Sequence, residues 1–199
     1  MERLAELLAH ENGVLPRRDH HNIRHLLASA RRKGLLAAPL PGIYTAPDPD
    51  WHTRMRAAAA FRPGCVITGA AAALALWWPG VPITFVSATV PYEVHGTYAR
   101  YQWQRRRVPA DLIDDSHGLR LACPAVSVLD LLPTLGATVI DEALRRRAVT
   151  LAALWAALRA EPRRPGNRLR GALLTDSRDE PWSEAERVAH RLLRQAGLV

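Results

Sequence analysis

The 199-residue sequence predicts an α+β protein, and three observations carry that expectation. Near the N-terminus, stretches of helical period lead into two short β-rich runs around a Pro-Gly turn. The middle of the chain mixes β-branched and alternating runs with very apolar helical ones. The last part holds one strongly patterned helix. In order, these pieces make a winged helix-turn-helix over 1–48, a mixed α/β domain with a small antiparallel sheet over 49–160, and a linker with a C-terminal helix over 161–199.

Leu4, Leu7 and Leu8 mark the first helix, which Asn12-Gly13 ends. A short second helix is expected near residues 17–20. Ile23, Leu26, Leu27 and Ala30 then fall at i, i+3, i+4 and i+7, one apolar face of a longer helix, with Asn22 placed to cap it. Gly34 follows Lys33 and stops that helix with cations in its last turn. Opposite the apolar stripe lie His25, Ala28, Ser29 and Arg32, flanked by Arg24 and Arg31. This face is cationic, carries hydrogen-bonding groups and is small at its centre, which suits close approach to a nucleic-acid groove. The competing reading is a surface helix whose arginines are merely solvated. Residues 35–38 and 43–46 read as strands joined by Pro39-Leu40-Pro41-Gly42, the wing, and Pro47-Asp48-Pro49 closes the first domain.

A helix is expected over 51–61, with Met55, Ala58 and Ala59 inward, and Thr68 is placed to cap an apolar helix over 69–77. Residues 83–90 are β-rich. Residues 98–107 alternate, with Ala99, Tyr101 and Trp103 on one face and Arg100, Gln102, Gln104 and Arg106 on the other, as in a half-buried strand of an antiparallel sheet. A strand follows at 119–122, and Pro124 opens a helix. Val139, Ile140, Ala143 and Leu144 mark another helix, and Thr150 caps one over 151–158. After linker composition at 161–167 comes a short apolar piece at 169–174. Ser183 and Glu186 then have capping-box spacing at the head of the final helix.

The charge balance, 27 Lys+Arg against 19 Asp+Glu for a formal +8, favours a polyanionic partner. Lys33 is the only lysine and alanine is abundant, so part of the arginine content is compositional bias, and the excess is spread along the chain. Cys65 and Cys123 stand far apart with no metal-ligand spacing and read as reduced thiols of a cytoplasmic protein. The N-terminus lacks a signal peptide's layout, and no run is long and apolar enough to span a membrane.

The segments GVLPRRDHHNIRHLLASARRKGLL, PGIYTAPDPDWHTRMRAAAAF, VITGAAAALALW, ITFVSATVP, GLRLACPAVSVLDLL and VIDEALRRRAVTLAALWAAL, in this order, resemble the AbiEi-type antitoxin-like winged-helix proteins of bacteria. Many of those continue into a very-short-patch-repair-like endonuclease domain. The resemblance implies operator binding by the first domain and a middle domain that counters a nucleotidyltransferase-like toxin. It implies that SEAERVAHRLLRQAGL is the opening helix of an incomplete nuclease-like domain, with Glu186 at its helix glutamate. The chain departs from the pattern in three places. The wing turn carries no arginine, residues 122–127 lack the Arg-Thr that usually ends that stretch, and nothing follows the first nuclease helix.

No G-x-S-x-G, Gly-rich phosphate loop or H-E-x-x-H is present, so no active site and no cofactor are expected. His20, His21 and His25 lie close together, but only Asp19 stands near to complete a metal site; a solvated or phosphate-facing surface is the better account. Arg105–Arg107 and Arg145–Arg147 are expected on solvated faces, and Trp77, Trp78, Tyr101 and Trp103 in core packing rather than base stacking. The expectation is a DNA-binding repressor or antitoxin of a type IV-like toxin–antitoxin system, not an enzyme. Its expected partners are double-stranded DNA and a cognate nucleotidyltransferase-like toxin, with no membrane. Its expected DNA-binding residues are Arg17, Arg18, Arg24, His25, Ser29, Arg31, Arg32 and Lys33. The alternatives are an incomplete endonuclease and a toxin-binding interaction module.

Overall fold

Two units emerge from the packing of this mixed α+β chain, each with its own share of the core. The structure, a computed structural model, describes residues 2–177 and 184–197. The first unit gathers Met1–Ile67, Pro82–Arg107 and Asp115–Leu121; the second gathers Thr68–Val81, Val108–Asp114 and Ala122–Val199.

In the first unit, α1 (Glu2–His10) lays Leu4, Leu7 and Leu8 on a core of Leu15, Leu27, Ala30, Leu36 and Tyr44. The Gly13 N–H donates to the Leu8 carbonyl at 2.6 Å and, at positive φ, turns the chain into β1 (Leu15–Pro16). The short helix expected near residues 17–20 does not form. The Arg17 N–H is tied to the Gly42 carbonyl at 2.7 Å and the Asp19 N–H to the Pro16 carbonyl at 3.0 Å, so the chain is still leaving the sheet where that helix would begin. A 3-10 turn, His21–Ile23, runs straight into α2 (Arg24–Arg32). Asn22 therefore lies inside the turn instead of capping α2; Ile23 holds the N-cap position, without a side-chain cap. Short i→i+3 bonds take over part of the work a cap would do.

Two strands follow, β2 (Ala37–Leu40) and β3 (Ile43–Thr45), later than expected on the first side and joined by only Pro41-Gly42. The three strands form an antiparallel sheet of order β1-β3-β2. Pairing of Ala37 with Thr45 but Leu40 with Ile43 leaves one extra residue on β2. That bulge absorbs Pro39, whose missing N–H is tolerated on an edge strand. Gly42 has φ 73°, the conformation a Pro-Gly turn needs at its second central residue. Helix α3 (Trp51–Phe61) is capped by Asp50, whose carboxylate accepts the Thr53 N–H at 2.6 Å. That bond holds the Asp50 carboxyl below its ordinary range. Met55, Ala57 and Ala58 are buried, whereas Ala59, expected inward, is half-exposed.

The second sheet has the order β6-β5-β4-β8-β7, from β4 (Val66–Thr68), β5 (Val86–Val90), β6 (Tyr101–Arg105), β7 (Ile113–Ser116) and β8 (Leu119–Ala122). It departs from the antiparallel sheet expected here. β5 and β6 run parallel, Val86 opposite Tyr101 through Val90 opposite Arg105, and β4 runs parallel to β8. The alternation holds only within β6, with Tyr101 buried, Trp103 half-buried and Gln102 and Gln104 exposed; Ala99, expected inward, is exposed ahead of the strand, and Arg106, expected outward, is half-buried after it. A period of two also reads the same in either strand direction. Strands β4 and β7 were not foreseen.

The second unit is built around α5 (Pro124–Leu135), buried on most of its circumference from Ala125 to Leu132. Against it pack α4 (Gly69–Leu76), α6 (Thr138–Arg145), α7 (Leu151–Ala160) and α8 (Asn167–Thr175). Pro124 opens α5, and Thr150 caps α7 by accepting the Ala153 N–H at 3.2 Å, both as expected. Thr68 makes no side-chain cap on α4; the Gly69 N–H instead donates to Asp130 Oδ2 at 3.2 Å. The last helix is α9 (Glu184–Gln195), with Val188, Leu192 and Leu193 exposed. The expected Ser183–Glu186 capping box lies outside the described residues. Among the described residues, no helix is long and apolar enough to cross a membrane.

Candidate nucleic-acid interface

The cationic face belongs to α2, and local physics explains how it is held. Leu27 and Ala30 are buried and Ile23 is half-buried, all against the core of the first unit. The helix ends in a Schellman motif: the Gly34 N–H bonds the Arg31 carbonyl at 3.0 Å and the Leu35 N–H bonds the Ala30 carbonyl at 2.9 Å. Gly34 at φ 73° makes the motif possible, and Leu35 packs with Ala30 in the same core, so both helix faces are fixed. Leu26 departs from its expected place: it is 47% exposed. It sits about 60° round the helix from Ile23, at the margin of the stripe, where spacing alone does not decide.

Arg24, His25, Arg31, Arg32 and Lys33 are all exposed, and Ser29 is half-buried between them. The Arg24 Nε donates to His25 Nε2 at 3.3 Å. Arg31, Arg32 and Lys33 have no ion-pair partner among the described residues. Their sequence surroundings explain this, since no acidic residue lies between Asp19 and Asp48. Several arginines elsewhere are matched. Arg145 and Arg146 both reach Glu142 at 2.6 Å, Arg54 meets Asp48 at 3.2 Å, and Arg120 meets Asp115 at 3.7 Å. An unmatched cationic face leaves a local positive potential, which attracts anions in general.

Arg17 and Arg18 stand apart from α2, exposed where β1 exits beside the hairpin turn. Together with His21, the Pro41-Gly42 turn and the end of α3 they line a cleft of about 440 Å³. The hairpin itself, residues 37–45, carries no charged residue. His20, His21 and His25 do not assemble a metal site: among the described residues no three His, Cys, Asp or Glu side chains gather in a way that would hold an ion. Of the four aromatics expected in the core, Tyr101 is buried, and Trp77, Trp78 and Trp103 are half-buried. Trp77 stacks on Trp78 at 5.4 Å and donates to Ser127 Oγ at 2.9 Å, and Trp103 lies 5.8 Å from Phe61. Leu26 reads in sequence as part of the apolar stripe, and Arg62, which lines the cleft, carries no sequence signal linking it to Arg17, Arg18 and His21. No protein-family model matches the chain, and no curated protein matches it.

Proposed function

We propose that the chain is a sequence-specific, double-stranded-DNA-binding protein of the repressor or antitoxin type, in which α2 is the recognition helix of a winged helix-turn-helix. The observation that carries this reading is the unmatched cationic face of α2, in a stretch free of carboxylates and braced by a three-stranded antiparallel sheet of order β1-β3-β2. The order of helix, short strand, helix and hairpin supports the reading, with a 3-10 turn standing where a winged helix-turn-helix has its second helix. His25, Ser29 and Arg32 follow one another along the exposed side and are assigned to base edges. Arg24, Arg31 and Lys33, with Arg17 and Arg18, are assigned to phosphates. Leu26, exposed beside them, offers the apolar contact that a thymine methyl group accepts. The uncharged hairpin is assigned no phosphate.

A binding site is first selected from random duplexes, and variants are then compared on that site and on random DNA. Arg32→Ala should weaken the selected site by roughly 1–3 kcal/mol and random DNA far less. Arg31→Ala should weaken both alike and reduce the slope of log affinity against log salt by about 0.9. Equal losses by both variants on both DNAs would show that Arg32 reads no base.

A second reading, a toxin-binding module, draws support from the exposed Val188, Leu192 and Leu193 of α9. Co-purification with a nucleotidyltransferase-like protein, lost on Leu192→Glu, tests it.

A further inference from the structure

The cleft beside the hairpin turn carries more than its two expected arginines. Arg17, Arg18 and His21 approach it from the stretch after β1, and Arg62 approaches from the end of α3. Arg62 lies 41 positions from His21, the nearest of the other three in sequence, and in no motif with them; only the fold brings it there. Its guanidinium is stacked over the Phe61 ring, 4.1 Å from the centroid. Phe61 is wedged in turn against Tyr98 at 5.4 Å and Trp103 at 5.8 Å. The guanidinium is thus pre-positioned rather than waving in solvent, and rigid placement lowers the entropy cost of gripping a ligand. Its Nε is buried and meets no hydrogen-bond partner among the described residues, an arrangement that native structures rarely leave without a reason.

The other side of the cleft is equally fixed, because the Arg17 N–H holds the Gly42 carbonyl at 2.7 Å. Asp19 is the acidic residue beside this stretch, and it reaches Arg18 at 3.5 Å on the exposed surface. Three guanidinium groups against one carboxylate leave a clear positive excess. About 440 Å³ is room for a small ligand, and planar guanidinium forks match phosphoryl oxygens in pairs.

We propose that this cleft is a phosphoryl-binding site in which Arg17, Arg18, His21 and Arg62 hold one phosphate group. The group comes either from a phosphorylated small molecule or from the backbone of DNA. The site is distinct from the face of α2, none of whose residues lines the cleft. Only the choice of DNA as the source rests on the function proposed above.

The test uses the full chain and inorganic phosphate as the probe, followed by calorimetry in low-salt buffer, with Arg62→Gln, Arg18→Gln and Arg32→Gln beside the parent. Saturable phosphate binding is expected, weakened about tenfold or more by Arg62→Gln and by Arg18→Gln and unchanged by Arg32→Gln. Arg18 is exposed, so its variant folds even if loss of the Phe61 stack harms the Arg62 one. A short random duplex is then added: displacement of phosphate identifies DNA as the source, and binding alongside it identifies a free phosphorylated compound. Absence of saturable phosphate binding by the parent, or equal weakening by all three variants, overturns the proposal. Failure of the parent to bind any duplex sinks the DNA reading and leaves the phosphate result standing, so the two failures are separable.

Discussion

Cys65 lies at the entry to β4 with 2% of its surface exposed, and burial pushes its thiol up to about 12. Burial likewise raises the Tyr101 hydroxyl to about 12. Both groups are acids that the fold keeps neutral, whereas the unfolded chain ionises them at their ordinary values. Their contribution to stability is therefore complete below about pH 9 and is lost as pH climbs toward 12. At about 1.36 kcal/mol per unit, Cys65 alone accounts for roughly 4 kcal/mol over that span. Denaturant unfolding at stepped alkaline pH should show the midpoint falling from about pH 9, and Cys65→Ala should flatten the fall. A midpoint equally steep in the variant would mean that Cys65 is not the group responsible. A buried thiol is visible in sequence only as a cysteine in an apolar run. Its titration belongs to the packing above it.

The second unit rests on a polar clamp that joins three elements. Asp130 on α5 accepts the first N–H of α4 with one oxygen and receives Arg164, from the loop before α8, with the other. Their side chains are 9% and 12% exposed, and Glu161 lies 3.6 Å from Arg164. Arg170 of α8, itself buried, adds bonds to the Leu129 carbonyl at 2.7 Å and the Pro165 carbonyl at 2.6 Å. Removing one partner of a buried ion pair leaves the other uncompensated. Asp130→Ala should therefore cost about 3 kcal/mol, at the low end of such losses because Glu161 remains, with a further loss of about 1 kcal/mol at the α4 cap. Asp130→Asn should keep the cap and lose mainly the ion pair. Equilibrium unfolding of both variants checks the order, and equal stability of Asn and Ala variants would dismiss the cap. None of these partners was foreseen, because the residues that meet lie 61, 34 and 41 positions apart in the chain.

On the scale of the whole molecule, the formal +8 is spread along the sequence, but the fold arranges it unevenly. In the second unit Arg145, Arg146, Arg164 and Arg194 pair with carboxylates, while the arginines of α2 face solvent without acids. If about five cations of the first unit each neutralise a DNA phosphate, log affinity should fall against log salt with a slope of roughly −4.5. Random duplex would then bind some hundreds of times more weakly after a fourfold rise in salt, a drop that titrations at two salt concentrations would register. A slope near zero would leave α2 as a solvated surface helix.

What the sequence determined by itself was local. The periods of α1, α2, α3, α5 and α7, the stop at Gly34, the cap at Thr150 and the cationic side of α2 all follow from residues within a few positions of one another. Helical hydrogen bonds and caps are short-range, so their signals survive in the chain order. Tertiary structure decided the rest. It set the parallel pairing of β5 with β6, turned residues 17–20 from a helix into a tether on the hairpin, and left Leu26 outside the core. It also carried Arg62 to the cleft of Arg17, Arg18 and His21. Strand direction and the meeting of distant side chains depend on how loops close and which surfaces bury each other, and neither has a period that a single sequence displays.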